Sequence, residues 1–450
     1  MSERLVVVGA DAAGMTAASQ ARRRNRDLEV VAFERTGFAS YSACGEPYYI
    51  AGEVDSLDQL IARTPDQFAR AGIEVRLHSE VVSIDTERSV VSVRSTGSGE
   101  ISEAGYDQLL VATGARSAVP PIDGVGLDGV HMLRTLDDAE ALRTVADAGR
   151  GSIVIVGGGY IGVEVAEAFG TQGWNVTVLE ALPSLMSRTV DEDLGAGITE
   201  AMEATGVRVL TDKVCESIEG DGHVSSVSVA GEQIPADVVV LATGAHPVVE
   251  LAEAAGIELG PTGAIAVDDR QRTNIDCVWS AGDCAEARHR VTGEMVNLQL
   301  GTVANKTGRV AGINIAGGDA TFPGVLGTAV TRFHDLEVAV TGVRLEHAAA
   351  AGIDAVDATV SGVTASHYMP ETSKMTIRIT AERGTSRVLG AQIIGGPGAG
   401  KRIDVLATAI WQGMSASDLE WVDLAYAPPF SSVWDTVAIA ARKAAQASAS

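Results

Sequence analysis

The chain has 450 residues and a formal net charge of −25, with 46% hydrophobic and 21% charged residues. Its length exceeds one ordinary core and points to about three domains. The charge excludes broad binding to nucleic acid or to an anionic membrane, either of which needs a basic face to displace counterions. No apolar run reaches the ~18–20 residues of a membrane helix, and the amino terminus enters a strand without the basic and apolar regions of a signal peptide, so a cytoplasmic location is expected.

The first element, "RLVVVGADAAGMTAASQA", is an apolar strand, a glycine turn and a small-residue helix, and "LEVVAFE" follows as a second strand ending on Glu34. This is the order of a dinucleotide-binding βαβ unit. It returns at residues 152–180, where Gly157, Gly159 and Gly162 form a full GxGxxG and Glu180 closes the second strand. Each unit is followed by a strand ending in the same turn, "LLVATGA" and "VVLATGA", so the chain is internally duplicated. One GxGxxG is weak evidence; two ordered copies with terminal acids are strong. In the first copy Asp11 stands where the second glycine would be, and it is expected to cap the helix amino terminus. At Glu180 a carboxylate accepts from a ribose 2′-OH and repels a 2′-phosphate, which favours NADH over NADPH.

The four cysteines Cys44, Cys215, Cys277 and Cys284 form no CxxC pair and no zinc spacing, so no metal is expected. Cys215, Cys277 and Cys284 read as packing thiols. A third segment, "NIDCVWSAGDCAE", runs a short strand into a turn at Gly282 and Asp283. With the two nucleotide units, it resembles the pyridine nucleotide–disulfide oxidoreductase family. The resemblance implies an α/β chain with two Rossmann-like domains and a C-terminal α+β dimerisation domain. It puts FAD in a split domain, residues 1–117 and 245–325, NAD(P)H in residues 118–244, and the subunit contact in residues 326–450. The prolines and glycine of "ARSAVPPIDG" suit the first boundary. The FAD contacts it implies are Gly9, Ala10, Asp11, Ala12, Ala13, Gly14, Glu34, Arg35, Ser42, Val81, Ala112, Thr113, Gly114, Asp283, Ala304 and Lys306, with Asp283 on the ribityl chain. For the nicotinamide nucleotide they are Gly157, Gly159, Tyr160, Ile161, Gly162, Glu180 and Gly244, with Tyr160 lying over the flavin until nicotinamide displaces it.

The loop "SYSACGEPYY" carries the redox centre. Two-cysteine members of the family have CxxxxC here, whereas the sixth position is Tyr49; they have a histidine near the C-terminus, whereas "AYAPPF" offers Tyr426. Both losses resemble the single-cysteine branch of coenzyme A disulfide reductases, NADH oxidases and NADH peroxidases, whose S-F-x-x-C-G motif is matched from Ser40 to Gly45 with Tyr41 for phenylalanine. Oxidases and peroxidases of the branch place a histidine where this chain has Ala12. Coenzyme A disulfide reductases use two tyrosines of the partner subunit, matched by Tyr368 and Tyr426, and substrate contacts matched by Thr16, Gln20, Arg23 and Ser40. The asparagine that some members carry before the cysteine is Ala43.

The resemblance therefore implies a homodimeric FAD enzyme that spends NAD(P)H on a small-molecule disulfide, coenzyme A disulfide first, through a mixed disulfide on Cys44. An oxidised flavin and a helix amino terminus are expected to lower the Cys44 thiol below its usual ~8.5. Three alternatives stand beside this: an oxidase or peroxidase working through Cys44 sulfenic acid, a coenzyme A persulfide reductase, and an electron-transfer reductase for a ferredoxin or rubredoxin. Persulfide reductases often carry a rhodanese domain, for which no room is expected before Ser450.

Overall fold

The computed structural model describes residues 3–449. The strand Arg4–Val8 is apolar on both faces and lies inside a five-stranded parallel sheet, as expected where helices cover both sides. The strand order is Val278–Ser280, Gln108–Val111, Arg4–Val8, Glu29–Phe33, Ile73–Arg76. A second parallel sheet repeats it with Arg208–Leu210, Asn175–Leu179, Ser152–Val156, Val238–Leu241 and Val130–His131. Thus Val278–Ser280, far along the chain, returns to the first sheet.

The duplication extends to single hydrogen bonds. Gly9 N donates to Phe33 O at 2.9 Å, and Gly157 N to Leu179 O at 2.7 Å. Gly9 (φ +99°) and Gly157 (φ +112°) occupy left-handed conformations, and a Cβ on either would collide with the carbonyl oxygen of Ala112 or Ala242. The two ATGA turns interlock across the short antiparallel pair Ala115–Ser117 and Ala245–Pro247. Thr113 donates to Val248 O and Thr243 to Ala118 O, each at 2.6 Å.

Helix Ala12–Arg24 packs against helix Gly301–Ile315 almost backbone to backbone, because a Cβ on Gly308 or Gly312 would strike the carbonyl of Ala13 or Ala17. This brings residues of the second helix beside the first one. The C-terminal unit is an antiparallel sheet in the order Ala329–Phe333, Leu336–Gly342, Val388–Gly395, Lys374–Glu382, Ala355–Val363, covered by helices Ile403–Trp411 and Thr436–Ser448. It is tied to the second nucleotide unit by Arg378, which reaches Asp191 at 2.7 Å and Asp193 at 2.6 Å. Its exposed aromatics include Trp421, Phe430 and Trp434. Among the described residues no helix is long and apolar enough to cross a membrane.

Candidate active site

At the end of each second strand the acid faces its own glycine turn. Glu34 Oε2 accepts from Ala10 N at 3.0 Å and its Oε1 from Thr36 N at 3.0 Å; Glu180 Oε2 accepts from Gly158 N at 2.7 Å and its Oε1 from Leu182 N at 2.8 Å. Both carboxylates are therefore fixed as acceptors, with lone pairs left for ribose hydroxyls. Gly162 and Gly14 sit where a Cβ would collide with the carbonyls of Gly157 and Gly9, whereas nothing lies within 4 Å of a Cβ on Gly159. The second unit thus keeps open the space that a pyrophosphate needs at a helix amino terminus.

In the first unit a groove of about 700 Å³ runs past Gly9, Asp11, Glu34, Arg35, Val81, Ala112, Thr113 and Gly114. The terminal acid and the helix amino terminus fit an extended dinucleotide such as FAD. Tyr41 of the redox motif and Arg134, which the sequence did not single out, also line it. Arg134 Nη2 donates to Asp283 Oδ2 at 2.8 Å and its Nε to Ala115 O at 3.1 Å, so the expected ribityl ligand is already oriented. The only nearby sequence signal is the capping box of Thr135 and Asp138 that follows Arg134. Ala304 is buried under Gly282, while Lys306 is exposed on its helix.

Asp11 corrects one expectation. It occupies the N-cap position of helix Ala12–Arg24 but makes no side-chain cap bond. Its Oδ1 accepts from Tyr41 N at 3.1 Å, so it ties the glycine turn to the redox loop. Burial first, and then Glu34, push its carboxyl up to about 6, against the hydrogen bond from the Tyr41 backbone. Ser40, at φ +50°, donates its N–H to Ala10 O at 2.8 Å and accepts from Ala62 N at 2.8 Å.

Cys44 is exposed in the 3-10 turn Ala43–Gly45, from which helix Glu46–Ala51 departs. A Cβ on Gly45 would overlap Leu60, which accounts for glycine beside the thiol. Arg143 Nη1 donates to Tyr49 O at 2.6 Å and Gln172 Nε2 to Ala51 O at 2.8 Å, clamping the short helix. Tyr49, in the second cysteine's place, packs against the core of the second unit. The protein's own groups push the thiol up, by desolvation of the sulfur within the turn first and then by Glu164, Glu46 and Asp283, with its own backbone N–H opposing them; the expected lowering by a bound oxidised flavin acts against this push. Glu164 accepts from Thr331 Oγ1 at 2.7 Å. Tyr160 begins helix Tyr160–Thr171 with Ile161, and burial raises its phenol despite a hydrogen bond with Thr189.

A basic face gathers around the first helix and Ser40. Thr16 donates to Asn305 Oδ1 at 2.8 Å. The amide oxygen of Gln20, in the orientation that satisfies its surroundings, accepts from Arg23 Nη2 at 3.2 Å and Arg309 Nη1 at 2.9 Å. Arg63 donates to Ser19 Oγ at 3.4 Å, lies over the Phe68 ring at 4.2 Å, and its backbone N–H reaches Ser40 O at 3.4 Å. Arg23, Arg63, Lys306 and Arg309 form no ion pair among the described residues, although the chain carries 59 acidic side chains. Arg22, by contrast, caps the helix end through Leu28 O at 3.0 Å. Arg63 and Arg309 have no recognisable sequence signal, because only the fold brings them to this face.

Tyr368 and Tyr426 are exposed, at 62% and 46%, and their segments are joined by Ser366 N donating to Pro428 O at 2.9 Å. Among the other cysteines, Cys215 and Cys284 are buried as expected. Cys277 is exposed in a turn at φ +63°, outside the strand that follows it.

Residues 3–308 match the model of the pyridine nucleotide-disulphide oxidoreductases, and residues 328–438 that of their dimerisation domain. The chain belongs to this family. Its members are NAD(P)H-dependent flavoproteins, which accords with two nucleotide turns and one redox loop. A coenzyme A polysulfide/persulfide reductase of Pyrococcus horikoshii is 38% identical over 98% of both chains. An NADH oxidase of Methanocaldococcus jannaschii is 35% identical over 98% of both. A coenzyme A disulfide reductase of Staphylococcus aureus is 29% identical over 98% of this chain and 99% of its own. The Pyrococcus protein is covered almost end to end, so a rhodanese domain does not separate the persulfide reading from the disulfide one.

Proposed function

We propose that this flavoprotein uses NADH to reduce a low-molecular-weight disulfide, coenzyme A disulfide, through Cys44. The observation that carries the substrate class is the uncompensated cationic face of Arg23, Arg63 and Arg309, anchored to the Cys44 loop through Ser40. In a protein of net charge −25, unpaired guanidinium groups joined to the loop of the thiol through Ser40 suit a polyanionic thiol carrier. Thr16, Gln20, Arg23 and Ser40 would contact it. In this reading residues 1–117 with 245–325 hold FAD, 118–244 hold NADH, and 326–450 pair two subunits.

Gly9, Gly14, Glu34, Asp283 and Arg134 would hold FAD, which when bound relays two electrons from nicotinamide to sulfur. The Cys44 thiolate attacks one sulfur of the disulfide, forming a mixed disulfide and expelling one thiolate. Two electrons then cleave the mixed disulfide, restoring the Cys44 thiolate and releasing the second substrate thiolate. Tyr426 of the partner subunit, with Tyr368 of the partner subunit beside it, protonates the departing thiolates. The balance is one NADH, one proton and one disulfide to NAD⁺ and two thiols. Glu180, with Oε1 and Oε2 both held by backbone N–H groups, disfavours a 2′-phosphate.

The test is anaerobic NADH turnover with coenzyme A disulfide, cystine, glutathione disulfide and mycothiol disulfide. A clear preference for coenzyme A disulfide is expected; equal rates would remove the substrate assignment. The second reading, a coenzyme A persulfide, rests on the 38% identical Pyrococcus relative. It predicts faster turnover with the persulfide and release of sulfide.

A further inference from the structure

Glu46 is an acid in an apolar place. It follows Cys44 by two residues, begins the helix Glu46–Ala51, is only 3% exposed, and its Oε1 has no hydrogen-bond partner among the described residues. Every other carboxylate around it or around the thiol is bonded. Asp11 accepts from Tyr41 N, and Asp138 accepts from Arg134 N and Thr135 N. Asp283 holds Arg134, and Glu164 holds Thr331. Arg134, the one cation facing Glu46, is committed to Asp283 and to Ala115 O. Glu46 is therefore the one member of this acidic group without a donor to stabilise its charge.

We propose that Glu46 and Cys44 share a single negative charge, so that Glu46 sets the ionisation of the thiol. The groups facing the pair are Asp138, Arg134 and Asp11 around Glu46, and Glu164 and Asp283 around Cys44. Burial, then Asp138 and Asp11, raise the Glu46 carboxyl to about 8, with Arg134 opposing. While Glu46 is neutral the thiolate meets only Glu164 and Asp283; once Glu46 ionises, the thiol holds its proton more tightly. When Cys44 enters a mixed disulfide its charge is gone, and Glu46 can ionise without opposing it. Glu46 is thus a positioning residue for charge, acting through Cys44. The inference rests on Cys44 being the reactive thiol, a point that Cys44→Ser tests by turnover, whereas the test below needs no substrate.

The test is the alkylation rate of Cys44 by uncharged iodoacetamide in the reduced, FAD-loaded protein from pH 5 to 10, followed peptide by peptide with Cys277 as the internal reference. Glu46→Gln is expected to move the Cys44 midpoint down by about one pH unit and to raise its rate about tenfold above pH 8, where wild-type Glu46 is ionised, with little change at pH 7, leaving Cys277 unchanged. The wild-type Cys44 curve is expected to be shallower than that of Cys277, which tests the coupling without any variant. A Cys44 midpoint unmoved or raised in Glu46→Gln, or a wild-type curve as steep as that of Cys277, overturns the proposal.

Discussion

Replacing Glu46 by glutamine should make the protein more stable at neutral pH, although it removes an acid beside the redox centre. The carboxyl is 3% exposed and raised from 4.5 to about 8. Between those values the folded chain binds a proton that the unfolded chain has lost, so the Glu46 contribution destabilises increasingly as pH rises through this window. Each pH unit costs about 1.4 kcal/mol, or about 3 kcal/mol between pH 5 and pH 7.5. Glutamine keeps the shape and does not titrate. With an unfolding entropy of roughly 2 cal/mol/K per residue over the whole chain, the gain corresponds to about 3 °C in melting temperature. The assay is differential scanning fluorimetry of wild type and Glu46→Gln with saturating FAD at pH 5 and pH 7.5. The stability of the variant relative to wild type should increase by that amount from the lower to the higher pH. A difference independent of pH would refute a buried neutral carboxyl and, with it, the reasoning from its unpartnered oxygen.

Removing the unpaired guanidinium groups should act on the substrate side alone. Arg23→Ala with Arg309→Ala should raise KM for coenzyme A disulfide at least tenfold while leaving KM for NADH unchanged, as steady-state kinetics would reveal. In the second glycine turn, Gly162→Ala puts a Cβ into the Gly157 carbonyl. It should weaken NADH binding tenfold or more, by fluorescence titration, while the bound FAD spectrum stays unaltered.

The fold was legible wherever chemistry is local. Apolar strands, glycine turns and terminal acids recur at matching places, and a turn that needs positive φ at Gly9 and Gly157 announces itself in one residue. The return of Val278–Ser280 to the first sheet was legible only through the family resemblance, since three residues carry no pattern of their own. Three features of the site depended on tertiary approach. Asp11 looked like a helix cap because it stands at the right position, but the redox loop offers the Tyr41 N–H instead. Around Cys44 the sequence shows the helix that begins after it but not the opposing carboxylates, Glu164 arriving from another unit and Asp283 from the far end of the first. Arg134 and Arg309 each lie in segments whose sequence gives no reason to prefer them over a surface arginine, and their roles follow from the partners that folding supplies. Cys277 shows the reverse error: strand-like neighbours suggested burial, whereas its own residue is the turn.

The central claim is that one protein sulfur does the work, with the second supplied by substrate. The measurement that bears on it most directly is the intact mass of the reduced protein after anaerobic treatment with coenzyme A disulfide, followed by NADH. One coenzyme A should be attached per subunit, on Cys44 by peptide mapping, with one equivalent of free coenzyme A released; NADH should then discharge the bound one, and Cys44→Ser should do neither. Turnover of coenzyme A disulfide without any adduct on Cys44, or retained by Cys44→Ser, would contradict the account.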